Sequence, residues 1–329
     1  MKTISKKSLR KKILIFLIFQ FAFFAISFPV LVFYGPFENL KSAVVGMSWK
    51  TNNTQYIAKF FLSDKAIDRI LNKNFPIDPT VKNGEIKVLK FAKKNTDKID
   101  VFDVNGNGFS GKLMVVYNPM DINIGYSDNM PKSGETVSAI AKQFGAIAAI
   151  NAGGFIDTKW SGTGGTPTGY IIHNGIVVYG QNKNENIKQD TVAFTDAGML
   201  IVGKHSIKQL MEYKVKEAVS FGPPLIVNGV PTINSGDGGW GYAPRTAIGQ
   251  RKDGAVLLLV IDGRNIEGPG ASLRNIQDIL LEHGAINAVN LDGGSSTTMV
   301  YNGKVINKPS DMLGERAVPS AFIVLPSNH

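Results

Sequence analysis

Three regimes of hydrophobic patterning follow one another along this chain. Residues 13–34 form a run of 22 without a charge, long enough to cross the ~30 Å hydrocarbon layer of a bilayer as a helix. Around residues 63–71 the apolar positions Ala66, Ile67, Ile70 and Leu71 return at helical spacing, with Lys and Asp on the other side, which predicts a short amphipathic helix. Further on the apolar runs shorten and are punctuated by Gly, Asn and Asp, the pattern of strands and turns. Residues 112–117 (KLMVVY), 146–150, 255–261, 285–291 and 317–325 read as strands. Asn174-Gly175, Asn228-Gly229 and Asn302-Gly303 each separate two apolar runs, and Asn-Gly is the preferred two-residue hairpin turn.

The stretch 254–296 organises the rest. Its first buried strand stops at Asp262-Gly263-Arg264. Ser272 then caps a helix carrying Leu273, Ile276, Ile279 and Leu280 at helical spacing, and Gly284 sits where a helix end favours a left-handed residue. The second strand ends at Asp292-Gly293-Gly294-Ser295-Ser296. Strand, helix and strand at these lengths predict a parallel βαβ crossover, not necessarily between adjacent strands. Asp262 and Asp292 would then leave the sheet on one edge, where α/β sheets place their ligands. A helix over residues 135–144, closed by Gly145, and a strand ending at Asn151-Ala152-Gly153-Gly154-Phe155 repeat this design. Asn151 is therefore expected near Asp292. The expected fold is α+β: a mixed β-sheet with a parallel βαβ unit and several hairpins, preceded by one transmembrane helix.

Charge sharpens the reading of the N-terminus. The formal net charge is +10, but Lys2, Lys6, Lys7, Arg10, Lys11 and Lys12 all precede the apolar run, and residues 1–34 contain no acid. Without them the net charge is +4, and the remaining basic residues form no stripe, so nucleic acid is not expected as a partner. The basic cluster places the N-terminus in the cytoplasm and the remainder outside. Ala25-Ile26-Ser27 would serve as a signal-peptidase site, but the apolar stretch runs on past Pro29 to Phe33, favouring an uncleaved single-pass anchor. The expected divisions are a basic tail and anchor (1–34), a stalk with a helical extension (35–84, polar and Lys-rich after residue 72), and a catalytic domain (85–329).

Composition removes several chemistries. There is no Cys, hence no disulfide and no thiolate. His173, His205, His283 and His329 share no metal-ligand spacing. Residues 106–111 fit GxGxxG, but a strand follows where a dinucleotide site needs a helix. Residues 103–108 begin like a calcium loop, but Met114 stands where the bidentate Glu belongs. A hairpin turn explains both. Trp160, in the Gly-rich loop 158–169, and Trp240 and Tyr242, in residues 235–242, are aromatics suited either to a sugar face or to anchoring their loops.

Taken in order, Asn151-Ala152-Gly153-Gly154-Phe155, Pro167-Thr168-Gly169, Phe221-Gly222-Pro223-Pro224, Pro244-Arg245-Thr246, Asp262-Gly263-Arg264, residues 291–296 and the Arg316/Pro319 segment resemble the phosphodiester glycosidase family over roughly residues 85–327. Bacterial members are often associated with exopolysaccharide. The resemblance implies hydrolysis of a sugar-1-phosphodiester to free sugar and phosphomonoester. Asn151, Gly153, Gly154, Thr168, Arg245, Arg264, Gly293, Gly294, Ser295 and Ser296 become candidate substrate-binding residues.

The residue chemistry is compatible with that reaction. Arg245 and Arg264 can grip phosphate in bidentate fashion. Gly293 and Gly294 can offer backbone N–H groups, and Ser295 and Ser296 hydroxyls. Asp292 and Asp262 are the carboxylates available for the usual glycosidase pair. A phosphodiester leaves more readily than an alkoxide, so one Asp can suffice: Asp292 as base or nucleophile, with Asp262 orienting or assisting. Asp262, Asp292 and Asn151 are also oxygen ligands able to hold Ca²⁺ or Mg²⁺, though the spacing does not demand a metal. The expected protein is a membrane-anchored, extracytoplasmic hydrolase of glycosyl-phosphate linkages in surface glycans or teichoic-acid-like polymers. A non-catalytic glycan-binding protein of exopolysaccharide assembly, and a phosphodiesterase cleaving P–O, are the alternatives.

Overall fold

The computed structural model describes residues 6–49, 54–73, 91, 96–156, 163–180 and 184–327. The chain divides into two units, residues 1–73 with 239–241, and residues 74–238 with 242–329.

Among its described residues the first unit contains four helices: α1 (Lys6–Tyr34), α2 (Glu38–Trp49), α3 (Gln55–Phe61) and α4 (Asp64–Lys73). Its small core gathers Val32, Phe33, Val45, Ala58, Ile67 and Leu71, with the Phe33 ring stacked on Phe61 at 4.5 Å. Within the expected stalk and helical extension, Glu38–Trp49 and Gln55–Phe61 are thus helical as well. Val45 and Ala58 bury themselves against Ile67 and Leu71, which an extended stalk could not do. Residues Arg10–Tyr34 are long and apolar enough to cross a membrane. Most of their large side chains, from Ile13 to Leu31, are exposed.

The second unit opens with the hairpin β1 (Ile99–Gly106) and β2 (Phe109–Val116), then β3 (Ile122–Tyr126). Helix α5 (Val137–Gln143) starts at Thr136, whose hydroxyl accepts from Ala139 N, and gives way to β4 (Ala148–Asn151) through Gly145 at φ 65°. Short β5 (Phe155–Ile156) and β6 (Thr166–Pro167) precede the hairpin β7 (Tyr170–His173) and β8 (Ile176–Gly180). Then come β9 (Gln189–Thr195), β10 (Leu200–His205), α6 (Ile207–Glu212), β11 (Val215–Ser220), β12 (Pro224–Val227) and β13 (Val230–Pro231). The last third runs through β14 (Arg245–Arg251), β15 (Val256–Ile261), α7 (Leu273–Glu282), β16 (Ala285–Leu291), β17 (Met299–Tyr301), β18 (Lys304–Val305) and β19 (Ser320–Val324).

At all three Asn-Gly turns both residues have positive φ, from 49° to 80°. This is the type I′ geometry whose twist matches a hairpin. Residues 106–109 also turn a hairpin, β1 to β2. Trp160 and most of the polar, Lys-rich stretch after residue 72 (74–90 and 92–95) lie outside the described residues.

Among the described residues three larger sheets carry this unit, β1-β2-β15-β14-β16-β12-β13, β10-β9-β11-β7-β8 and β18-β17-β4-β19-β3, beside the two-stranded pair β5-β6. Every described strand pairing is antiparallel. No described ladder is parallel, so the expected mixed sheet is corrected to an antiparallel one; β15 and β16, each antiparallel to the strand between them, run in the same direction, as expected of strands that need not be adjacent. The tight turn at Asp253-Gly254 folds β15 back on β14, and α7 then carries the chain across to the far edge of β14. There β16 pairs antiparallel with β14, so β15 and β16 flank one strand and share no ladder.

The core is common to the sheets. Leu258, Val260, Ile248 and Val289 of the first meet Phe194, Leu200 and Val219 of the second and Ile124, Ile150 and Phe322 of the third. Each such burial is worth ~1.5–3 kcal/mol. Buried polar side chains tie the sheets in pairs. Gln250 of β14 accepts from Leu200 N (2.8 Å), and Asn287 of β16 donates to Leu200 O (3.2 Å). Glu217 of β11 accepts from Ile124 N of β3 (2.9 Å) and pairs with His173 Nδ1 (2.9 Å). Asn151 of β4 makes the third tie, to β14 and the end of β16, at the candidate site.

Candidate active site

Four strand termini converge here: the C-terminal ends of β4, β15 and β16 and the N-terminal end of β14. Asn151 is fully buried at their centre. Its Oδ1 accepts from the Thr246 hydroxyl (2.8 Å) and from Thr298 N (3.1 Å), and its Nδ2 donates to Asp292 O (2.6 Å). All three bonds are internal, so the side chain fixes the backbone that carries Asp292. Asp292 N in turn donates to Ala152 O (3.1 Å), which fastens the Gly153-Gly154 corner beside the Asp292 loop.

Asp292 is half-buried. Desolvation raises its carboxyl to about 6, opposed by bonds from the Ser296 hydroxyl and Gly293 N–H and by the Arg316 charge. The sequence reading has Gly293 and Gly294 offer their backbone N–H groups to a bound anion. Gly293 N–H instead faces the Asp292 carboxylate, and Gly294 N donates to Pro244 O (2.9 Å). Close approach explains both glycines: a Cβ at Gly293 would lie 2.7 Å from Pro244 O, and Gly294 has φ 62°.

The cationic groups come from two loops and from the first residue of β14. A Cβ on Gly294 would meet both terminal nitrogens of Arg264 at 3.5 Å, so that guanidinium lies against the corner. Desolvation lowers the pKa of Arg264. Arg245 is buried, with Nε donating to Ala271 O (3.1 Å). Desolvation pulls it down to about 10, with Asp237 opposing and Arg264 adding to the fall, so it is still charged at neutral pH. Arg316 donates to Ser295 Oγ (2.9 Å) and sits over the Phe155 ring at 5.0 Å. Sequence reasoning placed Arg316 only within the family resemblance and not among the site residues. Its distance along the chain from Asp292 leaves no local signal.

Gly154 and Thr168 also meet: Thr168 N donates to Gly154 O (2.9 Å), and a Cβ on Gly154 would strike the Phe221 ring at 2.6 Å. The corner 153–154, Thr168 and Phe221 thus form one wall.

Asp262 stands apart. It is buried, its Oδ1 accepts from Asn307 Nδ2 (2.9 Å) and Lys308 N (3.0 Å), and desolvation raises its pKa against those bonds. Its charged neighbours are Lys308 and Glu267, whereas that of Asp292 is Arg316. The two carboxylates therefore sit in separate electrostatic surroundings. Nothing in the sequence marked Asn307 and Lys308 as partners of Asp262. No group of three His, Cys, Asp or Glu side chains able to hold a metal forms among the described residues. Of the three oxygen ligands considered for Ca²⁺ or Mg²⁺, Asn151 and Asp262 already use their Oδ1 atoms on protein donors.

The chain matches the model of a family described as phosphodiester glycosidase over residues 144–325, more than half its length. It is 29% identical over 201 residues to the SPbeta prophage-derived uncharacterized protein YomE of Bacillus subtilis (strain 168), covering 59% of this chain and 30% of that protein. It is 43% identical over 67 residues to the N-acetylglucosamine-1-phosphodiester alpha-N-acetylglucosaminidase of Bos taurus, covering 20% of this chain and 12% of the other. The chain thus spans less than a third of the length of either relative. Among solved structures, the zebrafish catalytic domain of the latter enzyme, auto-inhibited by its pro-peptide, superposes with TM-score 0.62 at 22% identity, covering 73% of this chain and 87% of that one. A hypothetical protein from Synechocystis gives TM-score 0.54 at 17% identity, covering 68% and 61%.

Proposed function

As this chain belongs to the phosphodiester glycosidase family, we propose that it hydrolyses sugar-1-phosphodiester linkages, with Asp292 as the catalytic carboxylate. The observation that carries the reading is the setting of Asp292: a half-buried carboxyl raised to about 6, on a corner lined by the guanidinium groups of Arg264 and Arg316. A carboxyl titrating near neutrality suits a base or nucleophile, and clustered arginines suit a phosphate leaving group.

In this mechanism the phosphodiester lies against Arg264 and Arg316, with Arg245 adding positive field from behind. The guanidinium groups take up the charge that develops as the anomeric C–O bond breaks, so no raised-pKa acid is needed on the leaving side. Asp292, as carboxylate, takes a proton from the attacking water or attacks the anomeric carbon itself. Water oxygen ends on the sugar and the phosphate departs as a monoester. Asp262 orients, holding Asn307 and Lys308 at the base of the loop that carries Arg264. The wall of Gly154, Thr168 and Phe221 is placed to receive the sugar.

The same reading makes Arg10–Tyr34 a membrane anchor. Its preceding Lys and Arg residues would keep the N-terminus in the cytoplasm and the site outside, with phosphodiester-linked surface glycans, exopolysaccharide or teichoic-acid-like polymers as substrates. Hydrolysis of a panel of sugar-1-phosphodiesters in ¹⁸O-labelled water tests the chemistry. Label on the sugar is expected. Label on phosphate would make the protein a phosphodiesterase, and binding without turnover would make it a glycan-binding protein.

A further inference from the structure

Two turns beside the candidate site are built alike. Residues 265–268 (Asn-Ile-Glu-Gly) close on the bridge Asn265–Gly268, and residues 311–314 (Asp-Met-Leu-Gly) on the bridge Asp311–Gly314. Within them Asn265 Oδ1 accepts from Glu267 N (2.9 Å) and Asp311 Oδ1 from Leu313 N (3.0 Å). Their tips carry Ile266, Met312 and Leu313, which are 104%, 98% and 96% exposed. No other large apolar side chain among the described residues is as exposed; the next, Phe60, is at 80%.

The bases of these turns are held firmly. Glu267 pairs with Lys308 (2.7 Å) and accepts from the Ser110 hydroxyl, joining the first turn to β2 and to the segment that leads into the second. Glu315 accepts from Ser138 N (2.9 Å) and Ser138 Oγ (2.5 Å), joining the second turn to α5. The apolar tips thus stand on anchored stems, one directly after Arg264 and the other directly before Arg316. Isolated apolar residues on a surface are ordinary, but apolar tips grouped around a site mark an interaction surface.

We infer that these two turns are a membrane-docking surface, and that the site acts on phosphodiesters held at a bilayer. The occupant follows from the chain itself. If Arg10–Tyr34 anchors it, a bilayer is always within reach, and tethering turns weak contacts into frequent ones. Apolar tips on polar stems enter the boundary between headgroups and acyl chains. Arg264 and Arg316 would then stand at the depth of lipid phosphates, where a glycosyl phosphate attached to a lipid alcohol would present its anomeric bond. This inference rests on the anchoring and the glycosidase activity proposed above.

The absence of Cys makes the test direct. Ile266→Cys and Leu313→Cys, each the sole thiol of the full chain, are labelled with an environment-sensitive dye. Glu212→Cys on α6 serves as control. Each protein is reconstituted into vesicles of phosphatidylcholine and phosphatidylglycerol, with or without lipids brominated near the headgroup. Both tip labels should shift to the blue and lose about half their emission to the brominated lipid, while the control should not respond. Tip labels that stay in water, or shielding that follows protein density and ignores brominated lipid, overturn the inference, the latter pointing to contact between copies. Ile266→Ser with Leu313→Ser should raise KM about tenfold on a vesicle-borne glycosyl phospholipid and leave turnover of a soluble sugar phosphodiester unchanged. An equal loss on both substrates would likewise overturn it. Insertion of the tips without turnover of any phosphodiester would remove the glycosidase reading and leave the docking surface standing.

Discussion

Asp292 holds its proton longer than an ordinary aspartate, and the consequences for activity and stability have opposite signs. In its proposed role as base or nucleophile it would work when ionised, so turnover should rise with pH through an acidic limb near 6, the value to which burial raises it. Asp292→Asn should lower kcat by roughly 10²–10⁴-fold. The folded pKa exceeds the unfolded one, so the native state binds the proton more tightly. The group costs nothing below about pH 4 and destabilises progressively up to about pH 6, by ~1–3 kcal/mol at neutrality. Asp292→Asn should therefore raise the midpoint of thermal unfolding at pH 7.5, with the gain vanishing near pH 3.5. Arg316 opposes the shift. Arg316→Gln should move the acidic limb of the pH–rate profile upward and reduce kcat/KM, and an unmoved limb would refute the coupling. Asp292 and its Gly pair were legible because a buried strand ending in Asp-Gly-Gly is a strong local pattern. The direction of the Gly293 and Gly294 N–H groups was not, since it depends on Pro244 approaching from another strand.

Local chemistry made several elements readable before their packing was known. Ser272 accepts from Asn275 N (3.1 Å), and Asn275 Oδ1 accepts from Ser272 N (3.0 Å), closing a capping box at the start of α7. Ser272→Ala should cost about 1 kcal/mol and lower the unfolding midpoint by ~2–4 °C, with little effect on the pKa of Asp292; calorimetry and the pH–rate profile together check this. The Asn-Gly hairpins were equally clear, because their left-handed residues are dictated by turn geometry alone. Helices α2 and α3 were not. Residues 38–49 include Gly46 and the β-branched pair Val44-Val45, poor helix formers; their helicity comes from burying Val45 and Ala58 with Ile67 and Leu71.

At the scale of the molecule, the sequence suggested α+β and an N-terminal apolar helix, but not how the strands share sheets. The two strands between Val256 and Leu291 do run in one direction, but the sequence did not show that β14, paired with β15 through the hairpin at Asp253-Gly254, lies between them and makes both ladders antiparallel. That β4 belongs to a different sheet from β16 was likewise invisible, although Asn151 and Asp292 still meet.

Gln250, Asn287, Glu217 and Asn151 bind three sheets to one another through single side chains. The amides of β4 and β16 next to Asp292 can then exchange with solvent only when a whole sheet parts from its neighbours. Their hydrogen-exchange rates should consequently follow global unfolding, and a ligand gripping the corner should slow exchange across all three sheets at once. In such an architecture catalytic geometry is lost only when the fold is lost, so inactivation by heat or denaturant should track the melting of the entire unit, with no earlier softening at the site.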